Sequence, residues 1–208
     1  MHSSEKITAY SLTPEVLLGA YHAGYFPMGN PETGGIEWHE PSWRAIIPLD
    51  AVRISRSLRQ TLKKGHFEFR FDTDFAYTIE ACSKREDTWI TDVIIESYCS
   101  LHKAGFAHSV ETWCNGEMVG GLYGVAIGGA FFGESMFSTM SDASKAAFVA
   151  LTNRMNERKM VLLDSQYINP FTESLGAIEI PRSEYLQRLD EALRLNTTFA
   201  ENKNETKQ

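Results

Sequence analysis

Between His108 and Met136 the chain reads as three antiparallel strands, and the rest must be arranged around them. Asn115-Gly116 is the strongest short-range signal for a hairpin, because both residues tolerate the positive φ of a tight turn. Gly128-Gly129 supplies a second turn, so His108–Cys114, Met118–Ile127 and Ala130–Met136 are expected to pair in sequence. The third run carries Gly133-Glu134-Ser135-Met136-Phe137-Ser138, which sets one carboxylate among aromatic and sulfur side chains. A lone buried charge costs about several kcal/mol, so Glu134 is paired, hydrogen-bonded or shifted in pKa, unless it is an edge-strand acid that reaches water. Later, Val161-Leu162-Leu163 ends in Asp164-Ser165-Gln166. Two neighbouring strands ending this way would form one pocket with acidic and amide groups at its floor.

Helices are expected where caps and apolar spacing agree. Thr13-Pro14-Glu15 offers a hydroxyl cap, a proline at the first helical position and an acid at the positive end of the dipole, with Gly24 as the stop. Trp38, Pro41 and Trp43 follow in a segment that reads as a loop, either a lid or wall over something flat or apolar, or a loop pinned to the core by its aromatics. Ser55 caps Arg56–Lys64, and Phe67–Phe71 alternates as a half-buried strand does. Further helices are expected from Asp72 or Thr73 to Cys82, after Thr91, from Ser141 or Asp142 to about Arg158, and over Glu184–Leu195. The residues from Asn196 onward read as a polar, frayed tail.

Net charge is −7, which argues against generic affinity for nucleic acid. Arg53, Arg56, Arg59, Lys63, Lys64 and Arg70 nevertheless lie together against the single acid Glu68. One basic block on an acidic chain suits a polyanion held at one place, although such a face is also ordinary solvated surface. Cys82, Cys99 and Cys114 match no zinc or redox spacing and read as free thiols in a reducing cytoplasm. Nothing in the sequence has the length of a membrane span, and Met1–Lys6 lacks the order of a signal peptide.

The order hairpin, strand, helix, strand, helix is that of acyl-CoA N-acetyltransferases. Those enzymes hold the CoA pyrophosphate on a glycine-rich loop at a helix start. Here that place reads Ser138-Thr139-Met140-Ser141-Asp142-Ala143-Ser144-Lys145, without glycine and with an acid. No cofactor is therefore expected, and another activated acyl donor is required.

Blocks in order from about Thr13 to Leu189, nearly the whole chain, point to one. Gly24-Tyr25-Phe26-Pro27, Trp38 with Arg44-Ala45, Ile54-Ser55-Arg56-Ser57, Thr88-Trp89-Ile90-Thr91, His108-Ser109-Val110-Glu111 and Val119–Ala126 come first. Gly133–Ser138, Ala143-Ser144-Lys145, Leu163-Asp164-Ser165-Gln166 with Asn169, Ser174–Ala177 and Ile180-Pro181-Arg182 with Tyr185 complete the order. In these residues the chain resembles the bacterial leucyl/phenylalanyl-tRNA–protein transferases.

The resemblance implies an α+β protein: a small N-terminal domain or lid (residues 1–50), an acetyltransferase-like (GNAT-type) catalytic domain (51–195) with a mixed, mostly antiparallel sheet, and a tail (196–208). It implies a cytoplasmic monomer that moves Leu or Phe, and Met less well, from aminoacyl-tRNA to proteins beginning with Arg or Lys. Such a tag marks the target for degradation through the N-degron route. Asp164 and Gln166 match the pair that prepares the attacking amine, Asn169 the residue that steadies the aspartate, and Glu134 the acid lining the acceptor side. Leu122, Phe131 and Met136 would line the donor side-chain pocket, and Trp38 and Trp89 would wall the 3′ adenosine. Arg53, Arg56, Arg59, Lys63 and Lys64 would hold tRNA phosphates. Two alternatives remain open: a related transferase with a different donor or an acidic acceptor, and a binding protein of this fold without activity.

The chemistry is consistent with such a role. An aminoacyl ester is already activated, and an α-ammonium of pKa roughly 7.7–8.0 needs only a modest base. Asp164, directly or through Gln166, is expected to accept that proton. No Ser-His-Asp or Cys-His order is evident, so no covalent enzyme intermediate is expected.

Overall fold

The computed structural model describes residues 12–84 and 88–200. The expectations for Met1–Lys6 and for residues beyond 200 lie outside these. Helix α1 (Pro14–His22) is capped by the Thr13 hydroxyl, which accepts from the Val16 N–H. Strands β1 (Phe26–Gly29) and β2 (Ile36–His39) form an antiparallel hairpin, so Trp38 lies in a strand and not in the expected loop. Trp43 likewise opens β3 (Trp43–Ile46), upstream of the expected domain division at residue 50. Pairing across strands satisfies backbone groups that a loop would have left to solvent.

Helix α2 (Arg56–Lys63) begins at the Ser55 cap as the sequence indicates. After β4 (Glu68–Phe71), α3 (Phe75–Ser83) starts later than expected, at an Asp74 cap. The reason is that Asp72, at φ +56°, turns its carboxylate to the Ser109 N–H and the His108 ring. Helix α4 (Asp92–Lys103) leads into β5 (Ala107–Cys114), β6 (Glu117–Ile127) and β7 (Ala130–Ser138), with the Asn115-Gly116 turn at φ +52° and +82°. Then come α5 (Ala143–Glu157), β8 (Leu162–Gln166), a short α6 (Pro170–Ser174), β9 (Ile178–Pro181) and α7 (Arg182–Leu193).

Among the described residues the large sheet has the order β4-β5-β6-β7-β8-β3-β9, and its one parallel pair is β7 with β8. The fold is thus α+β with a mostly antiparallel sheet. Period-two alternation divides the core between the sheet's faces. Tyr123, Phe132 and Leu162 pack with Leu17, Tyr21, Ile94, Tyr98 and Leu189 from α1, α4 and α7. Leu122, Phe131 and Leu163 pack with Phe148, Leu151 and Met155 from α5 on the other.

The small hairpin is fastened to this body at Gly29. Its N–H donates to the Trp89 carbonyl at 3.0 Å, and a Cβ there would stand 2.5 Å from that oxygen. The expected frayed tail is corrected over its described part. Phe199 is buried against Phe131 and Phe71, and the Thr197 hydroxyl donates to the Arg158 carbonyl at 2.6 Å. One aromatic in a polar stretch is enough to anchor it.

Candidate active site

Strands β7 and β8 run side by side only as far as the Phe132↔Asp164 pair. Just beyond, each bulges. Gly124 and Tyr123 are consecutive on β6, but their partners are Gly133 and Ser135, so Glu134 is an extra residue of β7. In the same way Ala45 and Ile46 face Gln166 and Asp164, leaving Ser165 extra on β8. A bulge re-aims side chains and reverses the alternation after it. Met136 therefore joins Leu122 on the α5 face while Glu134 keeps the face of Phe132. Gln166 sits at φ +57°, a strained left-handed conformation of the kind held at functional sites.

These departures open a cavity of about 590 Å³. Leu122, Met136, Phe148, Leu151, Leu163 and Phe171 give it an apolar wall, and Glu134, Ser135, Asp164, Ser165 and Gln166 a polar floor. Of the expected donor-pocket residues, Leu122 and Met136 border the space, whereas Phe131 is fully buried behind it. Trp89 borders the cavity; Trp38 packs instead against the core beneath the hairpin.

Asp164 borders the cavity without exposing its carboxylate. Arg44 Nε donates to Oδ1 at 3.0 Å and to Oδ2 at 3.1 Å, and Nη2 to Oδ2 at 2.8 Å. The Tyr185 hydroxyl donates to Oδ2 at 2.6 Å and the Gln166 N–H to Oδ1 at 2.9 Å. Both oxygens are engaged, a geometry that leaves no open side for an incoming amine. Burial works against the Arg44 charge, but Asp164 more than offsets this and raises its pKa. The guanidinium also lies between the Phe26 and Tyr185 rings, at 4.5 and 4.6 Å from their centroids. Asn169 is not the residue that steadies Asp164. Its Oδ1 accepts from the Phe171 and Thr172 N–H groups and caps α6, because Pro170 starts a helix there.

Glu134 is half-buried and opens to the cavity. Gln166 Nε2 donates to its Oε1 at 3.2 Å and the Tyr21 hydroxyl to the same oxygen at 2.6 Å. Removal from water pushes its carboxyl up to about 8; the Tyr21 bond opposes this, the Asp164 charge adds to it, and Arg44 and Tyr98 oppose it. A carboxyl titrating there is suited to exchange a proton with an amine near neutrality.

Arg44, Tyr185, Tyr21 and Tyr98 complete the site, and sequence reasoning gave none of them a role. Arg44 in Trp43-Arg44-Ala45-Ile46-Ile47 was the available signal, since a cation inside an apolar run is buried only when paired. The basic residues Arg53, Arg56, Arg59, Lys63 and Lys64 are all exposed. The Arg53 N–H bonds to the carbonyl of Leu175, which borders the cavity. On α2, Thr61 donates to Asp142 at the start of α5. Arg70 stands apart, over Trp113 and paired with Glu68.

The family model described as leucyl/phenylalanyl-tRNA protein transferase matches residues 46–190, and that of its N-terminal domain matches residues 10–42. A leucyl/phenylalanyl-tRNA–protein transferase of Rubrobacter xylanophilus is 50% identical over 190 residues, covering 91% of this chain and 99% of its own length. One from Herpetosiphon aurantiacus is 51% identical over 189 residues, or 90% and 98% of the two chains. Among solved structures, L-PGS from Bacillus licheniformis aligns over 75% of this chain and 51% of its own at 14% identity; its TM-score of 0.42 is too low to bear on function. With family models over nearly all of its described length and about half its aligned residues shared with these relatives, the chain belongs to the leucyl/phenylalanyl-tRNA–protein transferase family.

Proposed function

We propose that this protein transfers leucine or phenylalanine, and methionine less well, from aminoacyl-tRNA to the N-terminal Arg or Lys of proteins, tagging them for N-degron degradation in the cytoplasm. The observation that carries this reading is the position of Glu134, where an apolar wall meets an acidic floor in one cavity. An apolar wall suits an unbranched-at-Cβ side chain, and one methylene there is worth about 1–3 kcal/mol, so some leakage to methionine follows. A cationic chain start suits the acid. We take the chain to act as a monomer, with an acetyltransferase-like domain over residues 51–195 to which β3 adds an inner strand.

Glu134 is the proton acceptor in this reading, and Asp164 is the anchor that holds Arg44 and the Gln166 backbone around it. The acceptor's α-ammonium gives a proton to the Glu134 carboxylate. The free amine attacks the ester carbonyl carbon; the C–N bond forms and the C–O bond to the tRNA ribose breaks. The nitrogen's second proton goes to the departing ribose oxygen, and Glu134 returns its own to solvent. Gln166 keeps the carboxylate aimed at the cavity through its amide. Arg53, Arg56, Arg59, Lys63 and Lys64 hold the tRNA backbone without reading its bases. Trp89, on the cavity, is the wall for the 3′ adenosine, with Trp38 supporting the hairpin.

The test is transfer of radiolabelled leucine from its tRNA to peptides starting with Arg, Lys, Asp or Glu. Labelling confined to the cationic starts supports the proposal. Labelling of the acidic starts identifies a different acceptor class, and none at all indicates a binding protein.

A further inference from the structure

On the side away from the cavity, Glu134 meets two phenols that the transfer chemistry does not use. Tyr21, from α1, and Tyr98, from α4, are both fully buried. Tyr21 donates to Glu134 Oε1 at 2.6 Å, and its oxygen is hydrogen-bonded to the Tyr98 hydroxyl. Their rings pack on Phe132 and Tyr123, with centroids 4.7 and 5.6 Å apart. Phenylalanine would fill the same volumes without burying two hydroxyls, so packing alone gives no reason for the oxygens.

Building on the reading of Glu134 as the proton acceptor, we infer that the Tyr21–Tyr98 hydroxyl pair is a positioning device, pointing toward the carboxylate while it is ionised and turning away once it holds the amine's proton. In the ionised state Tyr98 donates to Tyr21 and Tyr21 donates to Glu134. In the protonated state the carboxyl O–H donates to the Tyr21 oxygen, and Tyr21 donates to Tyr98. Only rotation about the two phenolic C–O bonds is needed, and neither phenol is ionised. Burial, with Glu134 beside them, raises both phenols well above the usual tyrosine range.

The other groups facing Glu134 cannot make this adjustment. Gln166 on β8 donates through an amide that stays a donor. Asp164 on β8 and Arg44 on β3 are locked together, and the Tyr185 hydroxyl on α7 already donates its hydrogen bond to Asp164. The hydroxyl pair is thus the part of the surroundings that can follow the proton.

The experiment compares single-turnover transfer to an Arg-starting peptide across pH in the wild type, Tyr21→Phe, Tyr98→Phe and Glu134→Gln. The peptide amine titrates identically throughout, so differences between variants report the enzyme. Loss of a donor to the carboxylate moves the ascending limb to higher pH by about one unit in Tyr21→Phe, and by less in Tyr98→Phe. At pH 7 the first variant is about tenfold slower, and its rate recovers as pH rises. The carboxyl carbon resonance of Glu134 shifts its titration in the same order. Equal slowing at every pH with an unmoved limb would assign the phenols a structural role and overturn the inference. A Glu134→Gln enzyme that keeps the wild-type limb overturns the underlying acceptor reading instead. Should Tyr21→Phe not fold, Tyr98→Phe alone decides, because its limb either moves upward or stays.

Discussion

Arg44 Nη2 lies 2.8 Å from Asp164 Oδ2, and Arg44 Nε touches both carboxylate oxygens, so a fully buried ion pair fastens β3 to β8. The same guanidinium donates through Nη1 to the Gly24 carbonyl at 3.1 Å, just after α1. One side chain thereby links the N-terminal part of the chain to the strand that carries the cavity floor. Breaking such a pair from one side leaves an uncompensated charge in the interior, whereas replacing both partners removes the need for compensation.

The prediction concerns that asymmetry. Arg44→Met or Asp164→Leu alone loses about 3–5 kcal/mol in urea unfolding. Combined, the two changes cost clearly less than the sum of the single ones, since the partners touch. Additive losses would mean that the pair is not coupled. Arg44→Lys does not restore the wild type, because an ammonium cannot reproduce the fork that spans both oxygens.

A second prediction follows from Glu134, whose pKa rises from 4.5 in the ordinary state to about 8 in the fold. The folded protein then holds that proton more tightly than the unfolded chain. Its contribution to stability is fully present below about pH 4.5, falls as pH rises, and levels off above about 8. Glu134→Gln removes this loss. Thermal unfolding should therefore show the variant gaining on the wild type between those limits and holding a constant lead beyond them. A lead independent of pH would show that the carboxyl does not titrate in that window.

Much of this arrangement was legible in sequence, and the exceptions share a cause. The Asn115-Gly116 turn, the Thr13 and Ser55 caps and the pairing of β5, β6 and β7 depend on neighbours within a few residues. Glu134 and Gln166 were picked out as strand-end polar groups, and they do meet, at 3.2 Å. The bulges at Glu134 and Ser165 were not visible, because an extra residue in a ladder is defined by its partner strand. Nor were β3 and β9, each short and held by distant pairing. The assignment of Asn169 to Asp164 failed for a local reason. Asn169-Pro170 begins a helix, and the asparagine oxygen satisfies the N–H groups there.

The basic segment permits a third prediction. Arg56, Arg59 and Lys63 lie three and four residues apart on α2, exposed, with Leu58 buried on the opposite side. Neutralising all three should weaken tRNA binding and make the salt dependence shallower by about two to three in the log–log slope. The effect should be the same for tRNAs of different sequence, since phosphate contacts carry no base information. Filter binding from low to high salt measures it, and an unchanged slope would move the tRNA footprint off this helix.

Ser165 carries the last prediction. The β8 bulge places it on the cavity floor, and its hydroxyl is buried with no hydrogen-bond partner among the described residues. An unpaired buried hydroxyl costs about 1–3 kcal/mol of desolvation, and deleting it removes that cost while leaving a hole of only one oxygen. Ser165→Ala should therefore unfold at the wild-type temperature or a few degrees above it, unlike a core truncation. If the residue is kept because substrate completes its bonding, transfer by Ser165→Ala falls even as the fold gains. A lower unfolding temperature would instead mean that the hydroxyl has a partner within the protein, and a stabilised variant with unchanged transfer would remove Ser165 from substrate binding.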